Sequence, residues 1–146
     1  MTVASNLERA RNGFASIPLS QEQKDAALVH LEDWLTAEHH AANRPQLESL
    51  IAQEKWSLLL DSFYQVIPFG TGGRRGAVGI GPNRINPHSI TTSVQGFVQY
   101  LHERFPEQEQ FKVVIACDVR QFLDIRGHYD ASLPNPILGL GSTDFV

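Results

Sequence analysis

The stretch from Phe69 to Asn86, FGTGGRRGAVGIGPNRIN, constrains this chain more than any other part of it. It holds six of the eleven glycines and three arginines, and no acidic residue occurs between Asp61 and Glu103. Glycines allow the backbone positive φ and let successive N–H groups converge on one point. Arg74, Arg75 and Arg84 add fork-shaped donors that match phosphate oxygens two at a time. Two readings fit these residues: an anion-binding loop, or a β-hairpin with generous turns. Two nucleotide signatures are excluded. A Walker A loop needs a lysine, and none lies between Lys55 and Lys112. The G-x-G-x-x-G fingerprint fails because Arg75 and Arg84 stand where its last glycine belongs.

Elsewhere the first sixty residues read as a helical appendage, and the residues after them follow the strand, loop, helix, strand order of an α/β unit. Ser20 and Gln23 form a capping-box pair, and Leu28, Leu31, Trp34 and Leu35 give a helix running to about Ala41. No fixed element is expected before Pro18 until that segment docks. His39 and His40 fall in the last turn of the helix, pointing about a hundred degrees apart. With no ligand partner at the usual spacing, a metal role for the pair is rejected. Asn43-Arg44-Pro45 reads as the start of a further helix, with Leu47, Leu50 and Ile51 on one face. Trp56, Leu59, Leu60 and Phe63 continue that pattern beyond a bend.

The apolar run from Tyr64 to Phe69 enters the glycine loop, and a helix opening at Asn86-Pro87 leaves it. Ile90, Val94, Phe97, Val98, Leu101 and Phe105 make its apolar stripe, and Pro106 ends it. Phe111 to Cys117 predicts a strand buried on both faces. Asp118 and Arg120 follow at its carboxyl end, where open α/β sheets place ligands, and their pairing with each other would fix the turn. Cys117 is expected to be buried and inert. Gln121 to Gly141 is longer than an ordinary connection. Ser142-Thr143-Asp144 reads as the cap of another helix, so the sequence is expected to be incomplete at Val146.

Three blocks of residues then point to a family: Phe69-Gly70-Thr71-Gly72-Gly73-Arg74-Arg75-Gly76, Gly79-x-Gly81-x-Asn83-Arg84-Ile85-Asn86, and Val113-Val114-Ile115-Ala116-Cys117-Asp118-Val119-Arg120. Together they resemble the amino-terminal part of the α-D-phosphohexomutase superfamily, over about half of the chain. The phosphoglucomutase/phosphomannomutase branch fits them best. Arg74 departs from the Leu or Met common in that family, and Cys117 from its Tyr.

The resemblance implies an α/β fold: a helical amino-terminal lead-in, residues 1–60, before an incomplete domain I with a mixed sheet, residues 61–146. It further implies a parent enzyme that interconverts hexose 1-phosphate and hexose 6-phosphate through a phosphoserine and a bisphosphate intermediate. Arg75 would stabilise the charge of the transferring phosphate. Thr71, Gly72, Gly73 and Arg74 would bind phosphate or lie beside it. Asn83, Arg84, Asn86, Asp118 and Arg120 would support the loop. Magnesium and a hexose 1,6-bisphosphate would serve the whole enzyme, whose partners are the phosphosugar and the remaining domains of the same polypeptide. The family's T-A-S-H-N-P serine loop and D-x-D-x-D-R magnesium loop have no counterpart in this sequence, and neither Ser132 nor Ser142 lies in such a motif. The 146 residues alone are therefore expected to be inactive, and a non-catalytic sugar-phosphate-binding module is the competing reading.

Length and composition bound these readings. A chain of 146 residues, 42% hydrophobic and 19% charged, suits one globular unit. A net charge of −4 argues against nucleic acid, leaving the basic loop to a small anion. One cysteine excludes an internal disulfide and fits a reducing cytosol. No run approaches membrane-spanning length, and MTVASNLERARNGFA lacks the apolar centre of a signal segment. The expected location is the cytoplasm.

Overall fold

The computed structural model describes residues 2–145. Met1 and Val146, where the expected outer boundaries fall, and the side chains of Ser142 and Phe145 lie outside the described residues. Four helices form the core: α1 (Val3–Phe14), α2 (Gln21–Thr36), α3 (Arg44–Ala52) and α4 (Trp56–Phe63). A hairpin of β1 (Phe69–Gly70) and β2 (Gly73–Arg74) follows, then a loop, then α5 (Pro87–Arg104). The architecture is mostly helical, with one two-stranded antiparallel sheet pairing Phe69 with Arg74 and Gly70 with Gly73.

Local chemistry explains the helix boundaries. Thr2 caps α1, a helix in the segment where no fixed element was expected. Leu7, Ala10 and Phe14 pack it on the core. Ser20 and Gln23 make the expected reciprocal box at α2. That helix stops at Thr36, short of Ala41, because Ala37 turns extended with ψ 135° and residues Glu38–Asn43 tighten into a 3-10 helix. Arg44 seals the end, its Nη2 donating to the carbonyls of Thr36 (2.7 Å) and Ala37 (2.9 Å). The bend between α3 and α4 is Glu54, at φ 59°.

Phe14, Leu31, Leu47, Ile51, Leu59, Leu60 and Phe63 are fully buried between the four helices. Each such side chain contributes about 1.5–3 kcal/mol, so the helical half is where this chain finds its stability. Ile80 from the glycine loop and Ile137 from the carboxyl-terminal segment plug into the same core. Gln46, itself buried, ties that segment down: its Nε2 donates to the carbonyls of Asp130, Leu133 and Pro134, and its Oε1 accepts the amide of Asp130.

Two further expectations are corrected. Phe111–Cys117 is not a strand, and the mixed sheet is absent among the described residues. A strand buried on both faces needs neighbours to take its N–H and C=O groups, and none lies beside it among the described residues. Val114 and Ile115 are accordingly 90% and 62% exposed, and Cys117 is exposed instead of buried. The second correction concerns the α5 stripe. The helix forms, but Val94, Phe97 and Val98 face solvent, and Ser89 is its one buried residue among those described.

Two substitutions test this account. Gly81 sits at φ 123°, and a Cβ there would come within 2.6 Å of the Ser62 carbonyl oxygen. Gly81→Ala should therefore cost about 3 kcal/mol or more in urea unfolding. Gly72, with open space around it, should tolerate alanine within about 0.5 kcal/mol.

His40 supplies a pH test. It is buried and stacked on Trp34 at 3.8 Å, and its pKa is lowered from 6.5 to about 4. Burial is the largest cause; His39, His88 and Arg44 add to it, and Asp33 opposes. The unfolded chain therefore takes the proton first as pH falls. This contribution is complete above pH 6.5 and is lost as pH falls toward about 4. At about 1.4 kcal/mol per pKa unit it amounts to on the order of 3 kcal/mol. Urea unfolding in EDTA buffer should show stability falling between about pH 6.5 and pH 4, and His40→Gln should lower that slope by about half.

Candidate functional site

The glycine loop is held from below by buried polar side chains. Asn86 is 3% exposed and satisfies three groups at once. Its Nδ2 donates to the carbonyls of Gly79 (2.9 Å) and Gly81 (2.8 Å), while its Oδ1 accepts the amide of Ser89 (3.0 Å). Ser89 Oγ accepts the Asn86 amide in return, completing a capping box at α5. Arg84 is buried and forms an ion pair with Asp61, and its Nη1 also donates to the Asp61 and Asn83 carbonyls. Asn83 Nδ2 donates to the Asp61 carbonyl at 2.8 Å. From the carboxyl-terminal segment, Tyr129 accepts the amide of Ile80 on its hydroxyl at 2.8 Å. Burial pushes that phenol above its ordinary pKa of 10.0.

At the hairpin tip, Thr71 and Gly72 are exposed, and Gly73 at φ 124° closes the turn. Arg74 leaves β2 toward α5, where its Nη1 donates to the Ser89 carbonyl at 3.0 Å. Its Nε is buried without a hydrogen-bond partner. The next residue, Arg75, is exposed.

Between this loop, the first turns of α5 and residues 115–129 runs a cleft of about 1190 Å3. Arg74, Arg75, Arg84, Asn86, Asp118 and Arg120 all line it, whereas Thr71, Gly72, Gly73 and Asn83 do not. Its volume exceeds the usual range for a small-molecule pocket, roughly 300–1,000 Å3, so it is a groove open to solvent. Charge within it is partly cancelled. Arg84 is spent on Asp61, and Arg120 pairs with Asp118, which raises the Arg120 pKa. Arg75 and Arg126 have no carboxylate partner among the described residues. Asp124 accepts the amides of His128 and Tyr129, each at 3.0 Å. The cleft's three carboxylates are thus each engaged by neighbouring groups. What remains available is cationic, matched to an anion held in the open groove.

Sequence reasoning missed three supports: Asp61, Tyr129 and Gln46. Asp61 stood out only as the last carboxylate before the loop. Nothing around Tyr129 or Gln46 signals their long-range roles.

Comparison with known proteins agrees with the loop's resemblance. The chain is 33% identical over 87 residues to a phosphopentomutase of Homo sapiens, covering 60% of this chain and 14% of that protein. It is 30% identical over 90 residues to a probable phosphoribomutase of Schizosaccharomyces pombe, covering 62% and 15%. A glucose 1,6-bisphosphate synthase of Mus musculus matches at 31% over 87 residues, covering 60% and 14%. The chain therefore spans about a seventh of the length of these relatives. No family model matches it, and no solved structure matches it significantly. All three relatives are members of the phosphohexomutase superfamily, and the resemblance to that superfamily is thereby shown over about 60% of the chain.

Proposed function

We propose that this chain is the amino-terminal portion of a phosphosugar mutase, with residues 1–60 a helical extension and residues 61–146 the opening of its first α/β domain. The observation that carries the reading is Arg75, a guanidinium on the groove with no carboxylate partner among the described residues. In the complete enzyme a phosphoserine passes its phosphoryl group to a sugar hydroxyl, whose proton departs. The resulting bisphosphate turns over and returns its other phosphate to the serine. Phosphoryl transfer of this kind depends on positioning and on stabilising charge over the equatorial oxygens. Arg75 supplies that charge, Arg74 adds to it from the edge of the groove, and Thr71, at the hairpin tip beside the groove, donates a hydrogen bond through its hydroxyl. The glycines at 72 and 73 let the backbone approach the phosphate.

The exposed apolar surface favours an enzyme part over a free-standing module. Val94, Phe97 and Val98 on α5 and Val113–Ile115 beyond it present apolar side chains to solvent. Further chain of the same polypeptide covers them in this reading, with the 113–115 run joining a sheet.

Hexose 1-phosphate and hexose 6-phosphate are the expected pair from the loop's resemblance. The relatives' names support a second choice, a pentose phosphate. Assaying the full-length polypeptide with glucose 1-phosphate and with ribose 1-phosphate separates these. Arg75→Ala there should lower kcat/KM by about 10²-fold, close to 2.7 kcal/mol of transition-state stabilisation, with the fold intact by circular dichroism. Turnover of neither sugar, with sugar-phosphate binding retained, would replace the enzyme reading with the binding module.

A further inference from the structure

Away from the groove, the 3-10 helix after α2 and the first turn of α5 bring three imidazoles together. One ring nitrogen each from His39, His40 and His88 lies within 4.8 Å of the others. His40 is 1% exposed, and its Nε2 is buried with no hydrogen-bond partner. Buried polar atoms in folded proteins nearly always find one, and a lone unpaired imidazole nitrogen asks for an explanation. The Oδ2 of Asp33 stands 3.7 Å from that nitrogen, too far for a hydrogen bond.

We propose that His39, His40 and His88, with Asp33 beside them, form a binding site for a divalent transition-metal ion of the zinc class. Three imidazoles and a carboxylate are a donor set that such ions take, and calcium or magnesium do not. Bonds of about 2.0–2.1 Å in a tetrahedron place ligand nitrogens roughly 3.4 Å apart, so the rings close by a little over 1 Å on binding. His39 is exposed and His88 half-buried, which leaves an entry path and room for that movement. The Asp33 carboxylate is within reach of the fourth position and offsets the charge of the ion. Arg44 and Arg74 are the nearby cations that oppose it, but the guanidinium of Arg44 is turned to the carbonyls of Thr36 and Ala37 and that of Arg74 to the carbonyl of Ser89. Burial holds His40 and His88 below their ordinary pKa, so both are neutral ligands at pH 7.

The consequence is mechanical. The ion would clamp the first turn of α5, which emerges from the glycine loop, to the end of α2, where Trp34 meets both His40 and His88. Spacing along the chain does not relate His39 and His40 to His88, which the fold alone brings beside them.

The test is a titration of the untagged chain with Zn2+ by calorimetry, and with Co2+ by visible absorption. One Zn2+ per chain, and tetrahedral Co2+ bands that Zn2+ quenches, are the expected results. His39→Ala and His88→Ala should each weaken Zn2+ binding by about tenfold or more. His102→Ala and Cys117→Ser should leave it unchanged. Zinc should also raise the melting temperature of the parent chain and not that of His88→Ala. Absence of stoichiometric uptake, uptake undiminished in His39→Ala and His88→Ala, or uptake lost in Cys117→Ser would each overturn the site.

Discussion

The buried carboxamide of Asn86 is the interaction on which the functional half of this molecule depends. A glycine-rich segment has little side-chain mass with which to hold a shape, so its conformation must be imposed from outside. Asn86 imposes it by binding the Gly79 and Gly81 carbonyls while capping α5, which fixes the loop and the helix in one frame. Arg84 and Asp61 do the same from the α4 side. A fully satisfied buried network of this kind specifies one arrangement, because any alternative leaves a polar group without a partner.

That economy also assigns the arginines. A guanidinium buried against a carboxylate is lost to ligands, since freeing it would strand a charge in a poor environment. Arg84 is of that kind, and Arg120 spends its charge on Asp118 at the surface. Arg74 is intermediate, anchored to the Ser89 carbonyl through one nitrogen. Arg75 is exposed on the groove with no carboxylate partner among the described residues. The same loop therefore contains arginines that shape it and an arginine left available to act.

Much of this was legible in the sequence, and the rest was not for identifiable reasons. Ser20 with Gln23 and Asn86 with Pro87 announced their helices because capping is local chemistry that neighbouring residues decide. The stop of α2 at Thr36 was invisible because it depends on Arg44 folding back onto carbonyls. Phe111–Cys117 carries the composition of a buried strand, yet composition states only a preference for a sheet, and pairing needs partners that the described residues do not provide. Gln46 binding the 130–134 segment, Tyr129 on the Ile80 amide and His88 beside His39 and His40 are all long-range meetings. No periodicity or spacing encodes them.

The last of these meetings falls in the first turn of α5, where contacts from the loop and from the helical core come together. Asn86 enters it from the loop, and Arg74 grips it through the Ser89 carbonyl. The ring of His88 turns the other way, against Trp34 and His40 in the helical core. The rest of α5 buries almost nothing, so among the described residues the helix is positioned from its first turn. A helix pinned at one end transmits the geometry of its anchor along its whole length, since its backbone ladder is continuous and stiff compared with the loop. The glycine loop's aim is thus set by the packing of the four-helix core, through a junction of a few residues. This gives the helical lead-in a physical purpose: it is the rigid body against which a segment too rich in glycine to order itself is held.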